Sequence, residues 1–113
     1  MQPITVEKPW GEFREFAINE PATVKILSVN KGQEFSLQKH EHRGEFWRVL
    51  SGHPDVVIGD KMYKGKKGDE FTAQVGVTHR IAAPEDDVEI LEISRGEFDE
   101  DDIVRLEDKY GRS

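Results

Sequence analysis

Short stretches in which apolar and polar residues alternate follow one another along most of the chain. The alternation, together with many β-branched and aromatic residues, predicts strands at residues 23–29, 34–39, 45–50, 55–58, 70–73, 79–82 and 89–94. Turn signals such as Asn30-Lys31-Gly32, Ser51-Gly52 and Lys67-Gly68 separate these stretches. Short strands at nearly even spacing favour a sandwich or barrel over repeating strand–helix units.

The length of the chain sets the number of domains. With 113 residues, we expect one domain over residues 1–113, an all-β fold built as a single small β-barrel. The best helical pattern in the chain is short and covers residues 99–105. Residues 96–113 as a whole are expected to wrap around the barrel or to fray.

Composition and charge exclude several classes of protein. No apolar run approaches the ~20 residues of a membrane span, and the first residues lack the basic and apolar regions of a signal peptide. The net charge of -7 disfavours nucleic-acid binding, which needs clustered Lys and Arg. Cysteine is absent, so disulfides and thiolate metal sites are excluded, and a cytoplasmic location is compatible with this composition.

The first polar side chains along the chain that suit a metal ion lie between Gly32 and Gly52. Successive side chains of a strand point to opposite faces, so Gln38, His40 and His42 share one face if a strand continues through all three. Such a polar stripe inside a barrel is costly unless it is hydrogen-bonded or bound to metal.

Two further donors fit the same site. A break at Arg43-Gly44 lets Glu45 begin the next strand facing inward, and His79 follows the turn at Gly76. Nitrogen and oxygen donors of this kind suit zinc, manganese, iron, cobalt or nickel. The predicted ligands of one divalent metal ion are Gln38, His40, Glu45 and His79.

These residues resemble the two sequence motifs of the cupin superfamily. The first motif, with all of its spacings, consists of Gly32, Gln38-x-His40, Glu45 and Gly52. The second consists of Gly68, Gln74-x-Gly76 and His79. In this second motif, Gln74 stands where the superfamily has Pro and Ala83 where it has Asn. The resemblance implies a cupin-type barrel of the double-stranded β-helix kind.

A closer resemblance is to the type II mannose-6-phosphate isomerase domain. In that family the domain often follows a mannose-1-phosphate guanylyltransferase domain, which this sequence lacks, so the second activity is not expected. The matching stretches are Lys8-Pro9-Trp10-Gly11 and residues 37–47, 76–80, 96–98 and 100–112. Residues 100–112 are the stretch most specific to this family, because the sequences of ordinary cupins do not end in this way. The resemblance implies interconversion of mannose 6-phosphate and fructose 6-phosphate, in the context of polysaccharide biosynthesis.

The implied reaction needs a polarised carbonyl, a base and a cation that holds phosphate. His42 and Lys25 are the candidate bases, and Glu45 is another only if it is not a full metal ligand. His42 is also a candidate fifth ligand. Arg43 is the first candidate for binding phosphate, and Lys25 is the second. The resemblance further implies a homodimer that binds a sugar phosphate, with no nucleic-acid or membrane partner.

Two other functions are compatible with the same residues. His40, Glu45 and His79 match the two-histidine, one-carboxylate set of an iron-dependent cupin oxygenase. The presence of Gln38 weighs against it, since this side chain would crowd the positions that oxygen needs. A non-catalytic sugar-binding or regulatory cupin would keep the fold and the metal site without turnover.

Overall fold

The computed structural model describes residues 3–96 and 98–111. Glu97 and Arg112, which belong to the stretches that resemble the isomerase domain, lie outside the described residues. The strands of the described part are β1 (Ile4–Lys8), β2 (Gly11–Glu15), β3 (Ala22–Val29), β4 (Leu37–Lys39), β5 (Glu45–Ser51), β6 (Asp55–Ile58), β7 (Lys61–Lys64), β8 (Glu70–Ala73), β9 (His79–Ala82), β10 (Val88–Arg95) and β11 (Val104–Glu107). The predicted all-β fold is confirmed.

Strands β3 to β11 form two antiparallel sheets. One sheet has the order β3-β10-β5-β8, and the other has the order β11-β4-β9-β6-β7. Strands β1 and β2 form a separate hairpin at the start of the chain. Strands distant in sequence are neighbours in both sheets, so residues far apart in the chain meet in the space between them.

The core lies between the two sheets, because each contributes its inward-facing residues to one apolar cluster. The four-stranded sheet provides Trp47, Val49 and Ile90, and the five-stranded sheet provides Val56 and Ile81. On β10 the alternation is regular at first, with Val88 and Ile90 buried and the residue between them exposed. The period of two that predicted the strands therefore also selects the core residues.

The best helical candidate of the sequence, residues 99–105, does not form a helix. Residues 99–102 form a turn closed by a hydrogen bond from the Asp102 N–H to the Asp99 carbonyl, and Val104–Glu107 is strand β11, paired with β4. A helix of this length is unstable by itself. The edge of β4 offers the backbone of residues 104–107 hydrogen-bond partners that a short helix lacks.

Other differences concern strand boundaries. The strand predicted at residues 34–39 is regular only over Leu37–Lys39, with one isolated bridge between Glu34 and Ala82. Strand β7 is fully exposed at the edge of its sheet and carries Lys61 and Lys64. Among the described residues, no helix has the length and apolarity that crossing a membrane requires.

Candidate metal centre

Three of the four predicted ligands lie together between the sheets. One donor atom each from His40, Glu45 and His79 lies within 4.8 Å of the other two. Oε1 of Glu45 is 2.7 Å from Nε2 of His40 and 3.3 Å from Nε2 of His79. All three side chains are almost completely buried. Such a group matches the size of a single-ion site.

The three donors meet because of how their strands begin and end. Glu45 is the first residue of β5 and His79 the first residue of β9, whereas His40 follows directly after β4. Gly76, with a φ of 78°, donates its N–H to the His40 carbonyl at 2.8 Å. This left-handed conformation is easily adopted only by glycine. The hydrogen bond of Gly76 connects the turn before His79 to the residue that follows β4.

The hydrogen bonds of the Nδ1 atoms of the two histidines determine which ring nitrogen presents a lone pair to the cluster. Nδ1 of His40 lies 2.6 Å from the Asp102 carbonyl oxygen, and Nδ1 of His79 lies 3.1 Å from that of Val77. A carbonyl only accepts, so both Nδ1 atoms must carry the hydrogen. In the neutral rings each Nε2 therefore presents a lone pair to the cluster, as a metal ligand requires.

The carboxyl of Glu45 is ionised. Burial raises its pKa, but hydrogen bonds from the His40 and His79 rings lower it by more, to about 2, when those rings present an N–H to it. When both rings present lone pairs instead, a bound cation takes the place of those donors. An ionised carboxylate only accepts hydrogen bonds, and two imidazole lone pairs face it. Three electron-rich atoms in one buried space repel one another unless a cation lies between them.

The unsatisfied atoms of the cluster fit a metal ion. Glu45 Oε1 and His79 Nε2 are buried and make no hydrogen bond within the described part of the chain. Such atoms are costly in a protein interior. A divalent cation would satisfy both atoms together with Nε2 of His40, and the nitrogen and oxygen donors suit a first-row transition metal.

Gln38, the fourth predicted ligand, lies next to the cluster. It pairs with His79 across β4 and β9, and it lines the same cavity as His40 and Glu45. Its amide oxygen accepts a hydrogen bond from the Ser36 hydroxyl at 2.8 Å. Ligation by this oxygen stays a prediction.

The cavity beside the cluster has a volume of about 220 Å³ and is lined by charged as well as apolar side chains. Its apolar walls are formed in part by Phe35, Trp47 and Phe98. The charged side chains that line it, besides the cluster, are Lys25, Arg43, Glu92, Glu100 and Arg105. A cavity with both signs of charge beside a metal-ligand group suits a polar, anionic ligand.

Two cations predicted to bind substrate are in this cavity. The Lys25 ammonium and the Arg43 guanidinium each lie 4.2 Å from the centroid of the Phe98 ring. Nη1 of Arg43 donates to the Asp99 carbonyl at 2.8 Å, and Nζ of Lys25 is 3.5 Å from the Glu100 carboxylate. The segment around Phe98 therefore holds both cations at the cavity wall.

His42 is not brought to the cluster. Strand β4 ends at Lys39, so the alternation that would have aligned His42 with Gln38 and His40 does not continue. The side chain of His42 is exposed and lines a second cavity with Gln74 and Arg95, and Arg43 lines both cavities.

Sequence reasoning missed several residues around the cavity. Glu92 is signalled by the alternation of β10, since it falls on the same face as the buried Val88 and Ile90. Asp102 and Phe98 carry no comparable local signal. Asp102 reaches His40 across 62 residues of sequence, which only the folded chain brings together.

Comparisons with known proteins agree with this fold and show the family. A family model described as Mannose-6-phosphate isomerase C-terminal matches residues 2–108. The xanthan biosynthesis protein XanB of Xanthomonas campestris pv. campestris (strain B100) is 38% identical over 110 residues, which cover 96% of this chain and 24% of that protein. The mannose-1-phosphate guanylyltransferase ManC of Salmonella typhimurium is 33% identical over 109 residues, which cover 95% of this chain and 23% of that protein. The chain thus spans about a quarter of the length of these relatives.

A solved structure identifies the barrel. The RmlC-like cupin of Shewanella frigidimarina superimposes with a TM-score of 0.66 at 19% identity, over 80% of this chain and 75% of that chain. Likeness at this level of identity concerns the fold, and it confirms the expected cupin-type barrel. Because the family model covers nearly the whole chain, the protein belongs to the mannose-6-phosphate isomerase C-terminal family of cupins.

Proposed function

We propose that the protein is a metal-dependent sugar-phosphate isomerase that interconverts mannose 6-phosphate and fructose 6-phosphate. The observation that carries the proposal is the position of His40 and Glu45 in the wall of a cavity that also contains cations. Membership of the isomerase C-terminal family supports the choice of substrate. The reaction needs a group that polarises a carbonyl next to groups that bind phosphate, and the cavity has candidates for both roles.

The metal ion would be held by the three-donor cluster. Nε2 of His40, Nε2 of His79 and the Glu45 carboxylate are the proposed ligands, with the Gln38 amide oxygen as the fourth. When bound, a zinc, manganese, iron, cobalt or nickel ion supplies a Lewis acid that stabilises negative charge developing on a carbonyl oxygen. Binding the sugar phosphate and moving its proton are left to the chain's own residues.

Arg43 and Lys25 are the proposed phosphate-binding residues. Both line the cavity, and Nε of Arg43 is buried without a hydrogen bond to any described residue. A guanidinium group can bind phosphate through two parallel hydrogen bonds. Local cations of this kind attract an anion even though the net charge of the chain is -7.

The proposal is tested by assaying the purified protein with mannose 6-phosphate and each of the five metals in turn. Formation of fructose 6-phosphate is followed with a coupled enzyme. We expect turnover with at least one metal, no turnover after chelation and recovery when that metal is restored. Mannose without phosphate is the control substrate, and we expect it to react far more slowly because Arg43 and Lys25 have no anion to bind.

Two results would overturn the isomerase proposal in favour of a different function. Tight calorimetric binding of mannose 6-phosphate, without turnover under any metal, would favour the non-catalytic sugar-binding cupin. Iron-dependent consumption of oxygen would favour the oxygenase, for which His40, Glu45 and His79 are a suitable ligand set.

The proposal includes a homodimer in the cytoplasm. Large apolar side chains are more than half exposed near the start of the chain, at Ile4 and Trp10, and on β3, at Val24 and Ile26. Groups of exposed apolar side chains often mark contact surfaces. Light scattering should give twice the 13.0 kDa chain mass, and a monomer mass would contradict the dimer. The lack of cysteine supports the cytoplasmic location, which cell fractionation tests.

A further inference from the structure

The inner face of the four-stranded sheet changes from apolar to charged along β10. Residues directly opposite one another on neighbouring strands point to the same face of a sheet. An apolar row across β3, β10 and β5 consists of Leu27, Ile90 and Val49. Two residues further along β10, the next row on this face consists of Lys25, Glu92 and Trp47. Glu92 is therefore the central residue of the row in which this face becomes charged, between Lys25 and the core residue Trp47.

Glu92 is a buried carboxylate that faces the cavity. It is only 9% exposed, and it lines the same cavity as His40 and Glu45. Its carboxylate makes no hydrogen bond or ion pair within residues 3–96 and 98–111. Neither carboxylate oxygen is among the fully buried atoms that lack a partner, so the carboxylate is open to the cavity. A molecule that enters the cavity would meet this carboxylate directly.

The other acidic and basic candidates are less suitable as a base. Glu45 Oε1 lies 2.7 Å from His40 Nε2 and 3.3 Å from His79 Nε2, so this carboxylate belongs to the proposed metal-ligand cluster. The side chain of Glu100 is 81% exposed, and that of His42 is exposed and lines another cavity. Glu92 is left as the buried carboxylate that lines the cavity outside the cluster.

We propose that Glu92 is the catalytic base that moves the proton between C1 and C2 of the sugar phosphate. This inference rests on the proposed isomerase function and names the residue that carries out its proton transfer. A positioned carboxylate contributes typically about 10²–10⁴-fold to such a step. The role departs from the sequence-based expectation, which considered His42, Lys25 and Glu45.

The step balances without any co-reactant. The Glu92 carboxylate takes the proton from C2 of open-chain mannose 6-phosphate. The electron pair of that C–H bond forms the C1–C2 double bond of an enediolate, while the π pair of the C1 carbonyl moves onto its oxygen. Protonated Glu92 then returns the proton to C1. The C2 hydroxyl gives its proton to the oxygen on C1, and the C2 carbonyl of fructose 6-phosphate forms. The carboxylate is regenerated, and nothing is oxidised or reduced overall.

The test compares Glu92→Gln with Glu89→Gln. Glutamine keeps the size of the side chain and removes the basic oxygen, while Glu89 lies on the same strand but on the exposed face. We expect kcat of Glu92→Gln to fall about 10²–10⁴-fold. Its metal content, and the calorimetric affinity of its metal-free form for mannose 6-phosphate, should match those of the wild type. Glu89→Gln should match the wild type in every measurement.

A second variant covers the case in which glutamine perturbs the site. Glu92→Ala leaves space for a small acid, so added formate should restore part of the turnover in proportion to its concentration. Formate should not affect the wild type or Glu89→Gln. Rescue of this kind requires a missing base and would not follow from a structural defect.

The possible failures of the two proposals are distinguishable. A wild type that is inactive with every metal would overturn the isomerase function and the role of Glu92 with it. An active wild type with near-normal kcat in Glu92→Gln would overturn the role of Glu92 alone. Loss of metal or of sugar-phosphate affinity in Glu92→Gln, without formate rescue of Glu92→Ala, would also overturn it.

Discussion

Nδ1 of His40 donates a hydrogen bond to the main-chain carbonyl of Asp102 at 2.6 Å. The Asp102 carboxylate in turn accepts the main-chain N–H groups of Glu41 at 2.8 Å and His42 at 3.0 Å. The pKa of the Asp102 carboxyl is lowered mainly by the hydrogen bond from Glu41 and further by the hydrogen bond from His42. The C-terminal segment thereby fixes both the orientation of the His40 ring and the loop that follows it.

Asp102→Ala should weaken metal binding. The change removes both acceptors of the loop N–H groups, so the segment that orients His40 is less well held. Loss of a group that positions a ligating histidine typically costs about 10–100-fold in metal affinity. Competition with a chelator of known affinity measures the loss. Asp101→Ala is the matched control, since Asp101 is exposed on the same turn, and equal affinities of the two variants would contradict the prediction.

His40→Ala and His79→Ala should each abolish metal retention. Either change removes one of the three donors that lie within 4.8 Å of one another, and the remaining histidine, Glu45 and the proposed Gln38 oxygen hold a divalent ion far more weakly. Elemental analysis of the purified variants measures the metal content. His53→Ala is the control, because His53 is exposed and pairs with Asp86. Normal metal content in both test variants would refute the site.

Arg43→Lys should raise KM for mannose 6-phosphate by about 10- to 100-fold. The substitution keeps the charge but loses the paired donors, and a hydrogen bond to a charged group is worth about 1.5–3 kcal/mol. The affinity for mannose without phosphate should not change. Arg95→Lys is the control, since Arg95 is exposed and does not line the cavity that holds His40 and Glu45. An unchanged KM for the phosphorylated sugar would remove Arg43 from the phosphate site.

Glu70→Gln should destabilise the protein at neutral pH but much less in acid. Glu70 lies between Arg14 of β2 and Arg48 of β5, with an Arg14–Glu70 contact of 2.9 Å, and so connects the N-terminal hairpin to the sheet. The hydrogen bond from Arg14, which has the larger effect, and the hydrogen bond from Arg48 lower the pKa of Glu70 below its ordinary value of 4.5. Its contribution is therefore present above pH 4.5 and is lost as the pH falls through the lowered value.

Urea denaturation measures this effect. We expect Glu70→Gln to lose about 1 kcal/mol of unfolding free energy at neutral pH, because the pairs are partly exposed. The difference from the wild type should shrink at acid pH. Glu7→Gln, an exposed change on β1, should have no effect at either pH. A loss that is the same at both pH values would show that the ionised carboxylate is not the cause.

The strand pattern was readable from the sequence because alternation is a local property. Side chains two residues apart share a face whatever the rest of the chain does, so most strands and the inward position of Glu45 followed from it. Local alternation does not indicate an element whose conformation depends on a partner strand. Residues 104–107 form a strand because the edge of β4 is available, and no local pattern indicates that edge.

The sequence by itself determined the all-β fold, the family and the residue types able to bind a metal ion, because each depends on spacing within short stretches. Only the tertiary structure decided which groups surround those donors. The Asp102 carbonyl accepts a hydrogen bond from His40, and the Phe98 ring lies 4.2 Å from both Lys25 and Arg43. Glu92 lies in the cavity wall. The physical reason is that a cavity is bounded by strands distant in sequence, and their register is set by packing and hydrogen bonding across the whole barrel.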